Sequence, residues 1–154
     1  MYQLAQVNIA RMRAGTGELS MAGLVTRIDE TNALAEASLG FVWRLPGSQI
    51  TPDDLRVFEG YFEPFDEQRL FYNLSVWSSV DDLRKYVFGS QHAELLRGRQ
   101  AWIAAFERPH LAMWWVRGGS MPSVAESAVR LKAMERDGPT AFAFTFAKVF
   151  DPPA

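Results

Sequence analysis

Leu70–Trp102, LFYNLSVWSSVDDLRKYVFGSQHAELLRGRQAW, reads as a strand, a capped turn and a bent or broken helix. Side chains along a strand alternate between its two faces. Leu70, Tyr72, Leu74 and Val76 form one row, with the composition of ordinary core. Phe71, Asn73, Ser75 and Trp77 form the other. That second row sets an amide, a hydroxyl and an indole between aromatic walls, a mixture that suits a small-molecule pocket. Ser79 followed by Asp82 resembles a capping box, so a short helix begins there and runs to about Phe88. Gly89 ends or kinks it, and Ser90 caps a second segment. His92, Leu95, Leu96, Arg99, Trp102, Ile103 and Phe106 recur at helical spacing, which predicts a helix continuing to Pro109.

Upstream, residues 2–10 form a strand with Leu4, Gln6 and Asn8 on one face and Ala5, Val7 and Ile9 on the other. Ser20 caps a predicted helix through about Ala37, with an apolar stripe of Met21, Leu24, Val25, Ile28 and Ala35. Gly40 stops it. Phe41–Leu45 is the next strand, with Phe41, Trp43 and Leu45 expected on one face. Residues 46–69 hold three prolines and read as a long connection with one helical turn at Asp53–Val57.

Downstream, Leu111–Arg117 is a strand with Ala112, Trp114 and Val116 opposite Met113 and Trp115. Two βαβ halves in one chain predict an α+β fold, a ferredoxin-like antiparallel sheet with helices on one face. A helix from about Pro122–Ser123 to Arg136 and a strand over Ala141–Phe150 follow. The expected organisation is a single domain, 1–154, with a core at 1–117 and a helix-strand extension at 118–154.

With 48% hydrophobic and 22% charged residues, the chain has the composition of a folded domain. Its net charge of −2 provides no electrostatic footprint for nucleic acid or an anionic membrane. The absence of cysteine excludes disulfides, thiolate catalysis and Cys-ligated metals. No apolar run is long enough to span a bilayer and no signal peptide is visible, so a cytoplasmic protein is expected. No Gly-rich phosphate loop, His-x-x-x-His spacing or G-x-S-x-G elbow is present.

The segments LAQVNIAR, NALAEASLGFVWRL, NLSVWSSVDDLRKYVFGSQHAELLR, LAMWWVRGG, PSVAESAVRL and GPTAFAFTF together resemble a bacterial family of unknown function in the dimeric α/β-barrel superfamily. The resemblance covers almost the whole chain; the loop at 47–66 fits it least well. It implies a ferredoxin-like protomer whose sheet pairs with that of a second copy, so a homodimer is expected. Phe71, Trp77, Phe142 and Phe144 would fit such an interface. The superfamily includes cofactor-independent antibiotic-biosynthesis monooxygenases, haem-degrading monooxygenases, chlorite dismutase relatives and muconolactone isomerases. Fold alone does not choose among them. Haem-degrading members use an asparagine on the first strand, a tryptophan on the third and a histidine on the following helix. The counterparts here would be Asn8, Trp77 and His92, although the connection from Trp77 to His92 is longer than in those relatives.

The residues themselves offer a catalytic set of His92, Asn8 and Tyr86. His92 opens an apolar stripe in the first turn of a helix, where burial and the helix dipole favour neutral imidazole, suited to accepting a proton. A single histidine on an apolar face is more often a hydrogen-bonded group at a helix end that fills space, here beside Leu95 and Leu96. Asn8 and Asn73 are amides in mid-strand, and with Ser75 they need partners from a ligand, a helix or the neighbouring strand. Tyr86 could donate to an enolate or phenolate, and Arg99 could meet a ligand carboxylate or an internal glutamate. Trp43, Phe71, Trp77 and Trp114 are candidate walls, whereas His110 is placed in a solvated loop. The expected function is binding of an apolar or aromatic small molecule, followed by cofactor-independent oxygenation, cyclisation or isomerisation with His92 as base. No cofactor is expected. The alternatives are a haem-binding or haem-degrading protein and a non-catalytic carrier or sensor.

Overall fold

The computed structural model describes residues 1–154. In chain order it holds β1 (Tyr2–Met12), α1 (Ala22–Glu36), β2 (Phe41–Arg44), a single turn α2 (Pro52–Leu55), β3 (Leu70–Trp77), α3 (Val80–Val87), α4 (Ser90–Leu95), β4 (Ile103–Ala104), β5 (Leu111–Arg117) and α5 (Val124–Asp137). β1 is the central strand, antiparallel to β3 on one edge and to β5 on the other. β2 extends the sheet antiparallel beyond β3. β1 and β2 therefore run the same way, joined through α1, and so do β3 and β5, joined through α3 and α4. These interleaved βαβ units are the ferredoxin-like arrangement. The short β4 continues the β5 edge, because Arg11 faces Leu70 across one side of β1 and Ala104 across the other.

Alternation along the central strands divides the molecule into two layers of core. Ala5, Val7, Ile9, Leu74, Val76, Ala112 and Trp114 point to one face, against Leu55, Phe58 and Phe62 of the long connection and Leu131 and Met134 of α5. Leu4, Trp77 and Met113 point to the other, against Ala35 of α1 and Val80 and Leu83 of α3. A third, smaller cluster joins Met12 to Met21 and Leu24, with Trp102 and Ile103 beside it. The first sheet face is thus covered within the chain by α5 and residues 55–62. Trp77 and Phe144, expected at an interface, are buried inside the protomer, while Phe142 remains exposed. No helix is long and apolar enough to cross a membrane.

Three local expectations are corrected. The helix expected through Phe106 stops at Leu95, because Gly98 adopts a left-handed conformation (φ 76°) and turns the chain back. Arg99–Ala101 is one tight turn, after which Ile103 and Ala104 pair with β1. Trp102 then packs so closely over Gly23 of α1 that a Cβ there would lie 2.6 Å from the indole. In β2, an irregularity between Phe41 and Trp43 breaks the alternation. Phe41 faces Trp77, whereas Trp43 lies opposite Val76 and packs on the other core.

The strand expected over 141–150 is reduced to isolated bridges, Met113 with Phe144 and Thr145 with Lys148. The threonines explain this: the Thr140 hydroxyl accepts from Phe142 N–H and the Thr145 hydroxyl from Ala147 N–H. Such local bonds curl the backbone and compete with a sheet ladder. Ser20 and Ser90, expected as caps, do not serve as such, since α1 and α4 begin without a side-chain cap bond, whereas the starts at Ser79 and Ser123 follow expectation. Ser79 accepts from Asp82 N–H at 3.1 Å and donates to its carboxylate at 2.8 Å, and Ser123 accepts from Glu126 N–H at 3.1 Å.

Candidate functional site

Between the second sheet face and helices α1, α3 and α4 lie a cavity of about 270 Å³ and a smaller one of about 110 Å³. Both are lined by Asn8, Asn32 and Asn73. Asn8 and Asn73 are cross-strand partners on β1 and β3, and Asn32 comes from α1. Their side chains make no hydrogen bond to a protein group. Three amides with donor and acceptor capacity therefore meet at the boundary of two spaces. Phe71, Leu24, Ile28 and Ile103 supply apolar wall to the larger cavity, and Arg27, Arg99 and His110 its polar side. Trp77, Tyr86, His92 and Phe41 line the smaller one.

The groups of the smaller cavity are held by one another. Gln6 Nε2 donates to Ser75 Oγ at 2.9 Å, and Trp77 Nε1 donates to the same oxygen at 3.0 Å. Gln6 and Ser75 are register partners, so Ser75 finds a cross-strand bond and fixes the indole. Tyr86 stacks on Trp77 at 5.0 Å and meets His92 edge-on at 4.8 Å. The Tyr86 hydroxyl donates to the Thr31 carbonyl at 3.2 Å. Burial pushes its phenol up to about 12, so it stays protonated, with its hydrogen committed to α1. Its ring thus lies against His92 while its hydroxyl bonds α1.

Burial holds the His92 imidazole below the usual 6.5. The nearby Val87 carbonyl opposes this, and the charge of Arg99 adds to it. The imidazole is neutral at pH 7, the form that accepts a proton. His92 also borders an open groove of about 190 Å³ at the corner of α3 and α4. Neither space beside it reaches the ~300 Å³ at which pockets for drug-sized ligands begin.

The structure brings together Asn8, Phe71, Asn73, Ser75, Trp77, Tyr86, His92 and Arg99 around the two cavities. Trp43 and Trp114 lie elsewhere, in the core between the sheet and α5. Trp43 is moved there by the β2 irregularity, and Trp114 by strand alternation. Trp114 Nε1 instead donates to Glu126 of α5 at 3.0 Å, and that carboxylate pairs with Arg130 at 2.8 Å. Arg27, Thr31, Asn32 and His110 belong to the larger cavity without having been expected there. Thr31 and Asn32 had a signal: they fall seven and eight residues after Leu24, inside the helical stripe that also holds Ile28 and Ala35.

The chain path resembles SnoaB, a cofactor-independent oxygenase from Streptomyces nogalater, with 12% identity over 79% of this chain and 97% of that one (TM-score 0.49). It also resembles PA3566 from Pseudomonas aeruginosa, with 13% identity over 75% and 93% (TM-score 0.48). A third likeness is NE2512, a protein of unknown function from Nitrosomonas europaea, with 14% identity over 80% and 97% (TM-score 0.47). No curated protein matches the sequence. The sequence itself matches one family pattern over residues 3–154, and the chain belongs to that family, the domain of unknown function DUF3291.

Proposed function

We propose that the protein binds a small apolar or aromatic molecule with a few oxygen functions between its sheet and helices. The further step in this reading is a cofactor-independent oxygenation, cyclisation or isomerisation begun by proton abstraction. The observation that carries it is the meeting of three unbonded asparagine amides with apolar walls and a neutral imidazole. The substrate body occupies the larger cavity. His92 takes a proton from an acidic C–H or O–H. The N–H groups of Asn8 and Asn73 donate to the oxygen on which charge develops. Trp77 and Phe71 keep water from that charge, and Tyr86 holds the imidazole in place.

A fragment screen by amide-resonance perturbation tests the binding reading. Small aromatic ketones and phenols should move the resonances of Asn8, Asn32 and Asn73. Perturbations confined to other surfaces would reject the site. For a compound that is turned over, His92→Ala should lower the rate by at least ~100-fold while leaving binding intact, the lower range for loss of a general base. Binding without turnover would instead support a carrier or sensor using the same cavity.

A further inference from the structure

The larger cavity has an uneven charge. The chain carries 18 acidic residues, yet none lines this space, while Arg27, Arg99 and His110 do. Arg27 reaches from α1 and Arg99 from the tight turn that Gly98 sets up, so the two guanidinium groups come from separate elements. Arg99 has no carboxylate within ion-pair distance. Arg27 has only a long, exposed contact with Glu30 at 3.8 Å. By contrast, the neighbouring Arg97, outside the cavity, is paired with Glu94 at 2.7 Å. Guanidinium groups with no close carboxylate partner beside an apolar wall of Leu24, Ile28 and Phe71 match a ligand with an apolar body and an anionic end.

We infer that the cavity selects organic carboxylates of one or two rings, the carboxylate meeting Arg99 and Arg27 and the rings lying on the apolar wall. The inference rests on the cavity being the ligand site and adds the substrate class. The carboxylate would serve as a handle, leaving the substrate's other oxygen functions for the asparagines. Carboxylate and guanidinium fit in planar, two-bonded geometry, so a neutral amide of the same shape loses the charge-assisted part of the contact.

The test is calorimetric titration of the full chain with 2-naphthoate and with 2-naphthamide, which share the ring system and differ in charge. In the native protein the acid should bind at least ~10-fold more tightly than the amide, a difference of about 1.4 kcal/mol. Added salt should weaken the acid alone. Arg99→Gln and Arg27→Gln should each reduce that preference, and the double variant should abolish it, chiefly by weakening the acid. Arg97→Gln, outside the cavity, should leave it intact. Equal binding of acid and amide would overturn the carboxylate inference and leave the cavity reading standing. So would a preference that survives the double variant. Failure of both compounds to bind would overturn the inference together with the cavity reading.

Discussion

An imidazolium at position 92 would be desolvated between Tyr86 and helix α1 and would face the charge of Arg99. Its pKa is lowered on folding, so the unfolded chain binds more protons than the native one just below 6.5. Stability must then rise with pH through that window and fall as pH drops from 7 toward 5. His92→Gln should flatten this part of the profile, measured as the urea midpoint against pH; a slope equal to the native one would show that another group titrates there. Asp54 and Asp137, whose carboxyls are held below 3.8, act only at lower pH. At this scale the sequence was informative where a polar side chain interrupts an apolar pattern. Asn8, Asn73 and His92 stand out in that way and do meet at one place. Ser75 stood out equally and is satisfied by Gln6 and Trp77, because pattern reports that a polar group needs a partner and not which partner it finds.

Elements were legible where their endings are encoded locally. Ser79, Ser123 and Gly40 set boundaries through bonds or backbone conformations that involve their immediate neighbours. Gly40 is held at φ 82°, and a Cβ there would lie 2.3 Å from the Asp82 side chain, the group that caps α3 with Ser79. Gly40→Ala should therefore cost about 2–3 kcal/mol, combining left-handed strain with the loss of a cap. Chemical denaturation measures this, and a change below about 0.5 kcal/mol would mean that the turn relaxes without disturbing Asp82. The stretch from Arg99 to Phe106 was not legible in the same way. Its helical spacing arises because Trp102 and Ile103 pack on α1 and the end of β1 after the chain has reversed at Gly98. Periodicity registers which residues are buried, and a reversed chain can bury the same ones. Nor could strand spacing show the β2 irregularity that sends Trp43 to the far side of the sheet.

For the whole molecule, the two sheet faces have different tasks. One carries the cavities and the other is sealed by α5 and residues 55–62, with Phe58, Phe62 and Leu131 fully buried. The order of the core strands was readable from the βαβ repeat, but the destination of the C-terminal extension was not, since a helix stripe does not name the surface it meets. A homodimer of this chain would add to a finished core and not complete it. Dilution until sedimentation shows single chains should leave the near-ultraviolet circular dichroism of the buried tryptophans unchanged. Its loss on dissociation would show that the partner finishes the core. Because α5 is joined to β5 by the short segment 118–123, its docking is a first-order event at a high effective concentration. Covering of the sheet face beneath α5 then owes nothing to mass action: the segment that seals it arrives already tethered, at a rate that does not change with the number of chains in solution.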